Sequence, residues 1–297
     1  MVSEEIISKT VSKIMTLAAT VLPADVDKAI RDYREKEEGV ARAQLDAIIK
    51  DFTIAKETIT TMCQDSGYPI FFVTIGNKFN LPEKPIKEII AKATYDTTKK
   101  LPFRPNTVDV MTGKNPGDNS GSYAPFINFD YIEGDTLEIS FLPKGGGSEN
   151  MSRLSMLKPG QGIKGIKEFV LKTVIDAHSG QPCNPIVVGV GVGGGADIAM
   201  KLAKKNFLDR RIGERHPDPE IAKLEEELLE AINKIGYGPM GLGGKTTALD
   251  VFVNFGMRHP ASLPCGCAIN CWANRRGIAR IHNDGEVEIL SHEGETI

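Results

Sequence analysis

Three of the five cysteines lie within the seven residues from Cys265 to Cys271, in the stretch LPCGCAINCWANRR. Thiolates bind zinc and iron, and paired thiols carry redox chemistry. The C-x-C-x3-C spacing does not match a zinc site, although His259 and His282 are near enough in sequence to leave zinc open as an alternative. A redox pair would read C-x-x-C, which is absent. The spacing therefore favours a site assembled from distant parts of the chain.

The other two cysteines stand in short loops. Cys63 opens CQDSG ahead of the β-rich run IFFVTI, and Cys183 lies in SGQPCNP between a helical segment and a strand. Thiols in Gly- and Pro-containing loops are less often plain core residues than thiols within apolar runs. Three loops that each give one thiolate would hold an iron–sulfur cluster with one iron left without a protein ligand. Such an iron is a Lewis acid.

The segment KGGGSEN, which begins at Lys144, is a candidate anion site. Successive glycines can turn their backbone N–H groups into one concavity, and Ser148 could cap a short helix that follows. A flexible turn is the alternative interpretation. If the concavity forms, a carboxylate or phosphate fits it.

Two further glycine motifs resemble nucleotide sites only superficially. GVGVGG, from Gly189 to Gly194, fits G-x-G-x-x-G. However, a long helical segment precedes its strand, which is not expected to open a βαβ unit, and no acidic residue closes a second strand about 20 residues later. A tight strand-to-helix turn is the favoured interpretation. GYGPMGLGGKTT has Pro239 where a phosphate-binding loop needs its first glycine, so a phosphate role is not expected.

The elements that must position these residues are of mixed type. Apolar residues at helical spacing from Ile6 to Ala18 and from Val40 to Ile59 predict a helical layer over about residues 1–60. Strand patterns then alternate with glycine-rich turns and helices. The predicted class is α/β, a mixed β-sheet core wrapped by helices, with a largely helical N-terminal third and a single domain over residues 1–297.

Local signals fix several boundaries. The helix IKGIKEFVLKTVIDAHSG is predicted to end at Gly180, and the helix within residues 217–236 to have Asp218 as its cap, Pro219 in its first turn and Gly236 as its stop. The stretch from 101 to 125 is dense in Pro, Gly, Asn and Asp, and we expect an ordered functional loop there.

Composition limits the partners. The chain has 297 residues, 41% of them hydrophobic, and a formal net charge of −3. This charge gives no general attraction for nucleic acid or an anionic membrane, so we expect small molecules or proteins as partners. No signal peptide and no stretch of about 18 apolar residues is expected, and the odd number of cysteines suits a reducing compartment. The sequence therefore predicts a cytoplasmic protein.

Five blocks taken together resemble one enzyme family. They are CQDSG, KGGGSEN, SGQPCNPIVVGVGVGGGAD, GLGGKTTALDV and NCWANRR, and they span residues 63 to 276. In this combination and order they resemble the α subunit of the iron–sulfur class I fumarases and L-tartrate dehydratases. The resemblance implies a [4Fe–4S] cluster held by three cysteines, with a fourth iron that acts as a Lewis acid on the hydroxyl and carboxylate of a hydroxy acid.

The resemblance also assigns residues. The cluster ligands that it implies are Cys63, Cys183 and Cys271, and it leaves Cys265 and Cys267 as extra thiols. The substrate-binding positions that it implies are Gln64, Asp65, Arg104, Gly146 and Gly147. The implied catalytic positions are Asp65 and His259. Arg104 would pair with the far carboxylate, while the glycines would give backbone donors.

The expected reaction is the reversible hydration of fumarate to L-malate, with L-tartrate dehydration as the alternative. Because single-chain members carry a second domain and this chain stops at Ile297, we expect a separate β subunit that completes the site and supplies the candidate base. A rival of another class is a non-catalytic nucleotide- or zinc-binding module built on GVGVGG or on the CGC segment.

Overall fold

The computed structural model describes residues 2–101, 103–177 and 182–297. In chain order the α-helices of this part are α1 (Glu4–Thr20), α2 (Ala24–Arg34), α3 (Gly39–Thr58), α4 (Ile86–Lys100), α5 (Gly146–Glu149), α6 (Gly162–Ala177), α7 (Ala196–Asp209) and α8 (Pro219–Lys234). The strands are β1 (Tyr68–Gly76), β2 (Phe126–Ile132), β3 (Leu137–Lys144), β4 (Arg153–Leu157), β5 (Ile186–Gly194), β6 (Ala248–Arg258), β7 (Leu263–Asn270), β8 (Gly277–Ile281) and β9 (Val287–Ile289).

The chain divides into two compact units. The terminal unit comprises Met1–Pro23, Asp51–Gly145 and Arg275–Ile297, and the central unit comprises Ala24–Lys50 and Gly146–Asn274. Each unit contains one mixed β-sheet, and α1, α2 and α3 fill most of the first 58 residues. The predicted α/β class with a helical N-terminal region is therefore confirmed. A single domain over residues 1–297 stays a prediction.

The terminal unit is built on a five-stranded sheet in the order β2-β1-β3-β8-β9. Strands β1 and β2 are parallel, and the other pairs are antiparallel. Helix α1 packs on β3, β8 and α4. The core between them is apolar, and the rings of Phe71 and Phe141, paired across β1 and β3, lie 4.9 Å apart. The predicted strand IFFVTI lies inside β1, which is buried along most of its length.

The central unit is built on a four-stranded sheet in the order β4-β7-β5-β6. Strands β5 and β6 are parallel, whereas β7 is antiparallel to both β5 and β4. Helix α7 packs on β5 and β7, while α6 and α8 join the apolar cluster that contains Cys265 and Cys267. Strand β7 is buried at every residue.

The glycines of GVGVGG allow α7 to approach β5. A Cβ at Gly189 would lie 2.1 Å from the carbonyl oxygen of Ala203, and one at Gly191 would lie 2.1 Å from that of Ala199. No side chain fits at such distances, so these glycines serve helix–strand packing. Strand β5 does open a parallel crossover to β6, contrary to the sequence expectation, but close packing accounts for the motif without a nucleotide.

Two of the predicted helix-end residues, Asp218 and Gly236, lie where expected, and the predicted cap Ser148 does not. Asp218 caps α8 by accepting a hydrogen bond from the Glu220 amide at 2.9 Å, and Gly236 has a φ of 76° just beyond the helix, so both predictions are confirmed. Ser148 is not a cap, because α5 already begins at Gly146 and Ser148 lies within it. The predicted stop at Gly180 lies outside the described residues.

One described segment, Glu4–Arg34, is apolar and long enough by composition to cross a membrane, which corrects the expectation that none exists. Two separate helices, α1 and α2, make up this segment. Within the protein 61% of its apolar window is buried. Burial of this extent is typical of helices that pack in a protein core.

Candidate functional site

In the terminal unit, the CQDSG loop makes a tight turn before β1. Gly67 has a φ of 89°, and a Cβ there would lie 2.5 Å from the backbone of Pro143, so only glycine fits. Asp65 Oδ1 accepts a hydrogen bond from the Gly67 amide at 3.0 Å. Cys63 is half-buried and Gln64 is exposed. The turn thus presents three consecutive side chains of the predicted site.

Ser66 ties this turn to Arg104. Its hydroxyl accepts a hydrogen bond from the Arg104 amide at 2.8 Å and donates one to the Arg104 carbonyl at 3.1 Å. Ser66 is buried, whereas the Arg104 side chain is exposed. The structure therefore brings Arg104 beside Gln64 and Asp65, with its backbone fixed and its guanidinium at the surface.

Asn106 was not predicted as a site residue, yet it holds the turn in place. Its Nδ2 donates to Asp65 Oδ1 and to the Gly67 carbonyl, each at 3.2 Å. Its backbone amide donates to Oδ1 of Asn119, a buried residue, at 2.6 Å. These bonds order the part of the 101–125 loop that follows Arg104. The only sequence signal was its place two residues beyond Arg104 in that loop.

In the central unit, the structure brings together the loops that carry Cys183 and Cys271. Strand β5 begins at Ile186 and β7 ends at Asn270, and Val187 pairs with Asn270, so both loops lie at one edge of the sheet. The amide of Trp272 donates to the Cys183 carbonyl at 3.0 Å. Cys183 is exposed and Cys271 is half-buried.

None of the five thiols, all of which lie in the described part of the chain, forms a disulfide, but they differ in burial. Cys265 and Cys267 lie in β7 within the apolar cluster. Burial raises the pKa of Cys265 to about 12, and it raises that of Cys267 further, with the neighbouring Cys265 adding to the shift. A metal ligand must be a thiolate, so these two thiols are poor ligands.

The chemistry of the remaining donors fits a metal–sulfur group, because Cys63, Cys183 and Cys271 are loop thiols that form no disulfide and are partly or fully exposed. Among residues 2–101, 103–177 and 182–297, no three His, Cys, Asp or Glu side chains are grouped so that they could hold a metal ion. Cys183 and Cys271 are the predicted ligands that share a loop contact. The structure does not support the zinc alternative at His282, because its Nε2 atom is already hydrogen-bonded to Glu288 Oε1 at 2.7 Å.

The two glycines predicted to contact substrate open α5. Gly146 and Gly147 are its first residues, and α5 packs on β7. Backbone N–H groups in the first turn of a helix have no partner within that helix. The backbone N–H groups of Gly146 and Gly147 thus lie at the N-terminal end of α5, and their contact with a substrate stays a prediction.

His259 lies away from the cysteine loops of the central unit. It is exposed in the turn between β6 and β7, where its Nδ1 accepts a hydrogen bond from the Ala261 amide at 3.1 Å. The eight residues of β7 separate this turn from Cys271, which is about 25 Å along an extended strand. The structure does not bring His259 and Cys271 together within this unit.

Comparison with known proteins gives consistent matches. The model of the fumarate hydratase (Fumerase) family matches residues 8–280. "Putative L(+)-tartrate dehydratase subunit alpha" of Methanocaldococcus jannaschii is 50% identical over 285 residues, which cover 95% of this chain and 99% of that protein. L(+)-tartrate dehydratase subunit alpha of Escherichia coli strain K12 is 32% identical, covering 96% and 94%. "Putative fumarate hydratase class I" of Geobacillus stearothermophilus is 36% identical, covering 96% of this chain but 57% of that protein.

Proposed function

Because the chain belongs to the fumarate hydratase family and is a hydro-lyase, we propose that it is the α subunit of an iron–sulfur enzyme that interconverts fumarate and L-malate. The observation that carries the proposal is the exposed Arg104 side chain, whose backbone Ser66 clamps beside Asp65. A guanidinium fixed at its base and open at its tip suits bidentate binding of a substrate carboxylate.

L-tartrate is the second candidate substrate. The two relatives whose whole length this chain covers are named as tartrate dehydratase α subunits. Tartrate and malate differ by one hydroxyl, and both are dicarboxylates that Arg104 would bind in the same way. The choice between them therefore rests on groups that contact the second hydroxyl.

The chain's own residues would bind and orient the substrate. Arg104 pairs with the far carboxylate, while Gly146 and Gly147 give backbone N–H donors to an anionic oxygen. Asp65 holds or moves the proton of the substrate hydroxyl, because Gly67 and Asn106 fix its Oδ1 and so orient the carboxylate. Gln64, exposed next to it, is a further hydrogen-bonding contact.

Cys63, Cys183 and Cys271 would hold a [4Fe–4S] cluster. When bound, such a cluster supplies a Lewis acid through the iron that has no protein ligand. The exposure of these three thiols, which form no disulfide, supports the assignment, as does the burial of Cys265 and Cys267. A catalytic role for His259 is part of the proposal, although its turn lies at the other end of β7 from Cys271.

A separate β subunit would complete the site and supply the candidate base. The name "subunit alpha" of the full-length relatives supports this, and so does the longer Geobacillus stearothermophilus relative, of which this chain covers 57%. The isolated chain is then expected to turn over little or no substrate. We place the enzyme in the cytoplasm, since five cysteines that form no disulfide suit a reducing compartment.

Anaerobic co-expression with the candidate β subunit tests the reaction. The purified complex would be assayed on L-malate, fumarate and both enantiomers of tartrate. Arg104→Met should lower kcat/KM by about 10- to 140-fold, the worth of a charge-assisted hydrogen bond. Arg280→Met, a partly exposed arginine paired with Glu138, is the matched control and should leave the kinetics unchanged. Equal kinetics for both variants would contradict the role of Arg104.

Iron and acid-labile sulfide separate the proposal from its rivals. Cys271→Ser should abolish the cluster absorbance and the iron content, whereas Cys265→Ser should retain both. Zinc alone, or tightly bound nucleotide without iron, would contradict the iron–sulfur assignment. Retention of iron by Cys271→Ser together with its loss from Cys265→Ser would overturn the ligand set.

A further inference from the structure

Two neighbouring residues after Cys271 carry buried polar groups without a partner. Asn274 is fully buried, and its Nδ2 makes no hydrogen bond among the described residues. Arg275 is 2% exposed, and in the described part of the chain its Nε and Nη1 make none either. Burying an N–H donor or a cation without an acceptor costs free energy. The two side chains therefore call for an acceptor that the described part of the chain does not supply.

The fold fixes the Asn274 amide. Asn270 Nδ2 donates to Asn274 Oδ1 at 2.8 Å, and the Asn274 backbone amide donates to the Trp272 carbonyl at 2.9 Å. The Asn274 amide is thus held through its oxygen, while its buried Nδ2 has no hydrogen-bond partner among the described residues.

The same turn holds the Cys271 thiol. Its Sγ lies 3.9 Å from the Ala273 carbonyl oxygen, so the sulfur faces the turn that Asn274 closes. A thiolate or sulfide is an anion that accepts N–H donors. The short separation along the chain favours sulfur at Cys271 as the acceptor over a carboxylate of the substrate.

We propose that the Asn274 amide and the Arg275 guanidinium donate hydrogen bonds to sulfur atoms of the iron–sulfur group held at Cys271. The inference rests on the proposed cluster and adds two positioning residues to it. Hydrogen bonds to the sulfurs and nearby positive charge raise the reduction potential of a cluster and slow its loss. These two residues would thereby help the cysteines to retain the cluster.

The cluster-free full chain gives the first test. Arg275→Met keeps an aliphatic stem and removes a buried cation two of whose nitrogens lack a partner in the described chain, so its urea midpoint should rise above that of the wild type. Asn206→Leu is the matched control for Asn274→Leu. Asn206 is also fully buried but donates to the Val190 carbonyl at 3.0 Å and accepts from Asn254 Nδ2 at 2.7 Å. The urea midpoint of Asn206→Leu should fall more than that of Asn274→Leu.

The cluster-loaded complex with the β subunit gives the second test. Arg275→Met and Asn274→Leu should shift the midpoint potential to more negative values and weaken iron retention by about 10- to 100-fold. Asn206→Leu should leave the potential unchanged. KM for the dicarboxylate should also stay at the wild-type value, because these donors face sulfur.

Three results would overturn the inference. One is a raised KM with an unchanged potential, which would make the substrate the acceptor. Another is a fall in the cluster-free midpoint of Arg275→Met with no change in potential or iron retention, which would make the role structural. The third is wild-type behaviour of both variants in every measurement. Failure of the proposed function itself is distinguishable, because wild-type protein would then contain no iron or sulfide.

Discussion

The burial of Cys265 predicts how strongly folding protects its thiol from alkylation. With a pKa of about 12 in the folded chain, about one Cys265 in 10⁴ is ionised at pH 8, whereas a thiol of ordinary pKa near 8.5 is about one quarter ionised. Only the thiolate reacts with iodoacetamide. Unfolding the cluster-free chain in urea should therefore speed alkylation of Cys265 by about 2,000-fold.

Mass spectrometry of peptides labelled first with light and then with heavy iodoacetamide would measure this ratio. Both labelling steps use reduced protein at pH 8. Cys183, which is exposed, is the internal control and should react in the folded chain. Cys267, fully enclosed in the same strand, should be protected at least as strongly as Cys265. A folded-state rate for Cys265 within tenfold of its rate in urea would refute the reasoning from burial.

Three other perturbations have expected outcomes. Gly191→Ala would place a Cβ 2.1 Å from the Ala199 carbonyl oxygen, so the protein should lose several kcal/mol of unfolding free energy in urea melts or fail to fold. Gly160→Ala is the control and should be tolerated, because its added carbon meets open space. Burial raises the pKa of the Asp250 carboxyl, so the folded state holds its proton more tightly than the unfolded state does. The unfolding free energy should therefore fall relative to that of Asp250→Asn as the pH rises from about 4 through the raised pKa. Urea melts in which the two proteins show the same pH dependence would contradict this. Asn106→Ala removes the hydrogen bonds from Nδ2 to Asp65, Ser66 and Gly67 of the CQDSG turn. It should lower kcat/KM of the complex on its preferred dicarboxylate while leaving iron content intact, whereas loss of iron would give Asn106 a role at the cluster.

Local features were predictable from the sequence. Helix α8 was bounded correctly because its cap, its proline and its terminal glycine act within a few residues of each other. The family resemblance predicted that Cys265 and Cys267 are not cluster ligands. Their burial in β7 is a physical reason for this, because it disfavours the thiolate form. Because β7 is buried on both faces, its sequence shows no alternation of polar and apolar residues. Its crowded cysteines therefore resemble a local metal site in sequence, although they lie in the core.

Features that depend on distant contacts were not predictable. The role of Asn106 follows from bonds to residues about 40 positions away, and no local pattern marks it. The glycines of GVGVGG fit a nucleotide motif by spacing, yet their function is set by a helix that packs across the strand. His259 and Cys271 are only twelve residues apart in sequence, but the extended strand β7 between them holds them apart in space.

The Ser66 clamp has a consequence for how this enzyme can change. The hydrogen bonds between the Ser66 hydroxyl and Arg104 involve only the backbone of Arg104, so these bonds do not depend on the side chain at position 104. Position 104 can therefore be exchanged in a library while the surrounding turn keeps its shape. With Arg104 in its proposed contact with a substrate carboxylate, replacement of this one side chain would alter the charge and length of the accepted acid independently of folding.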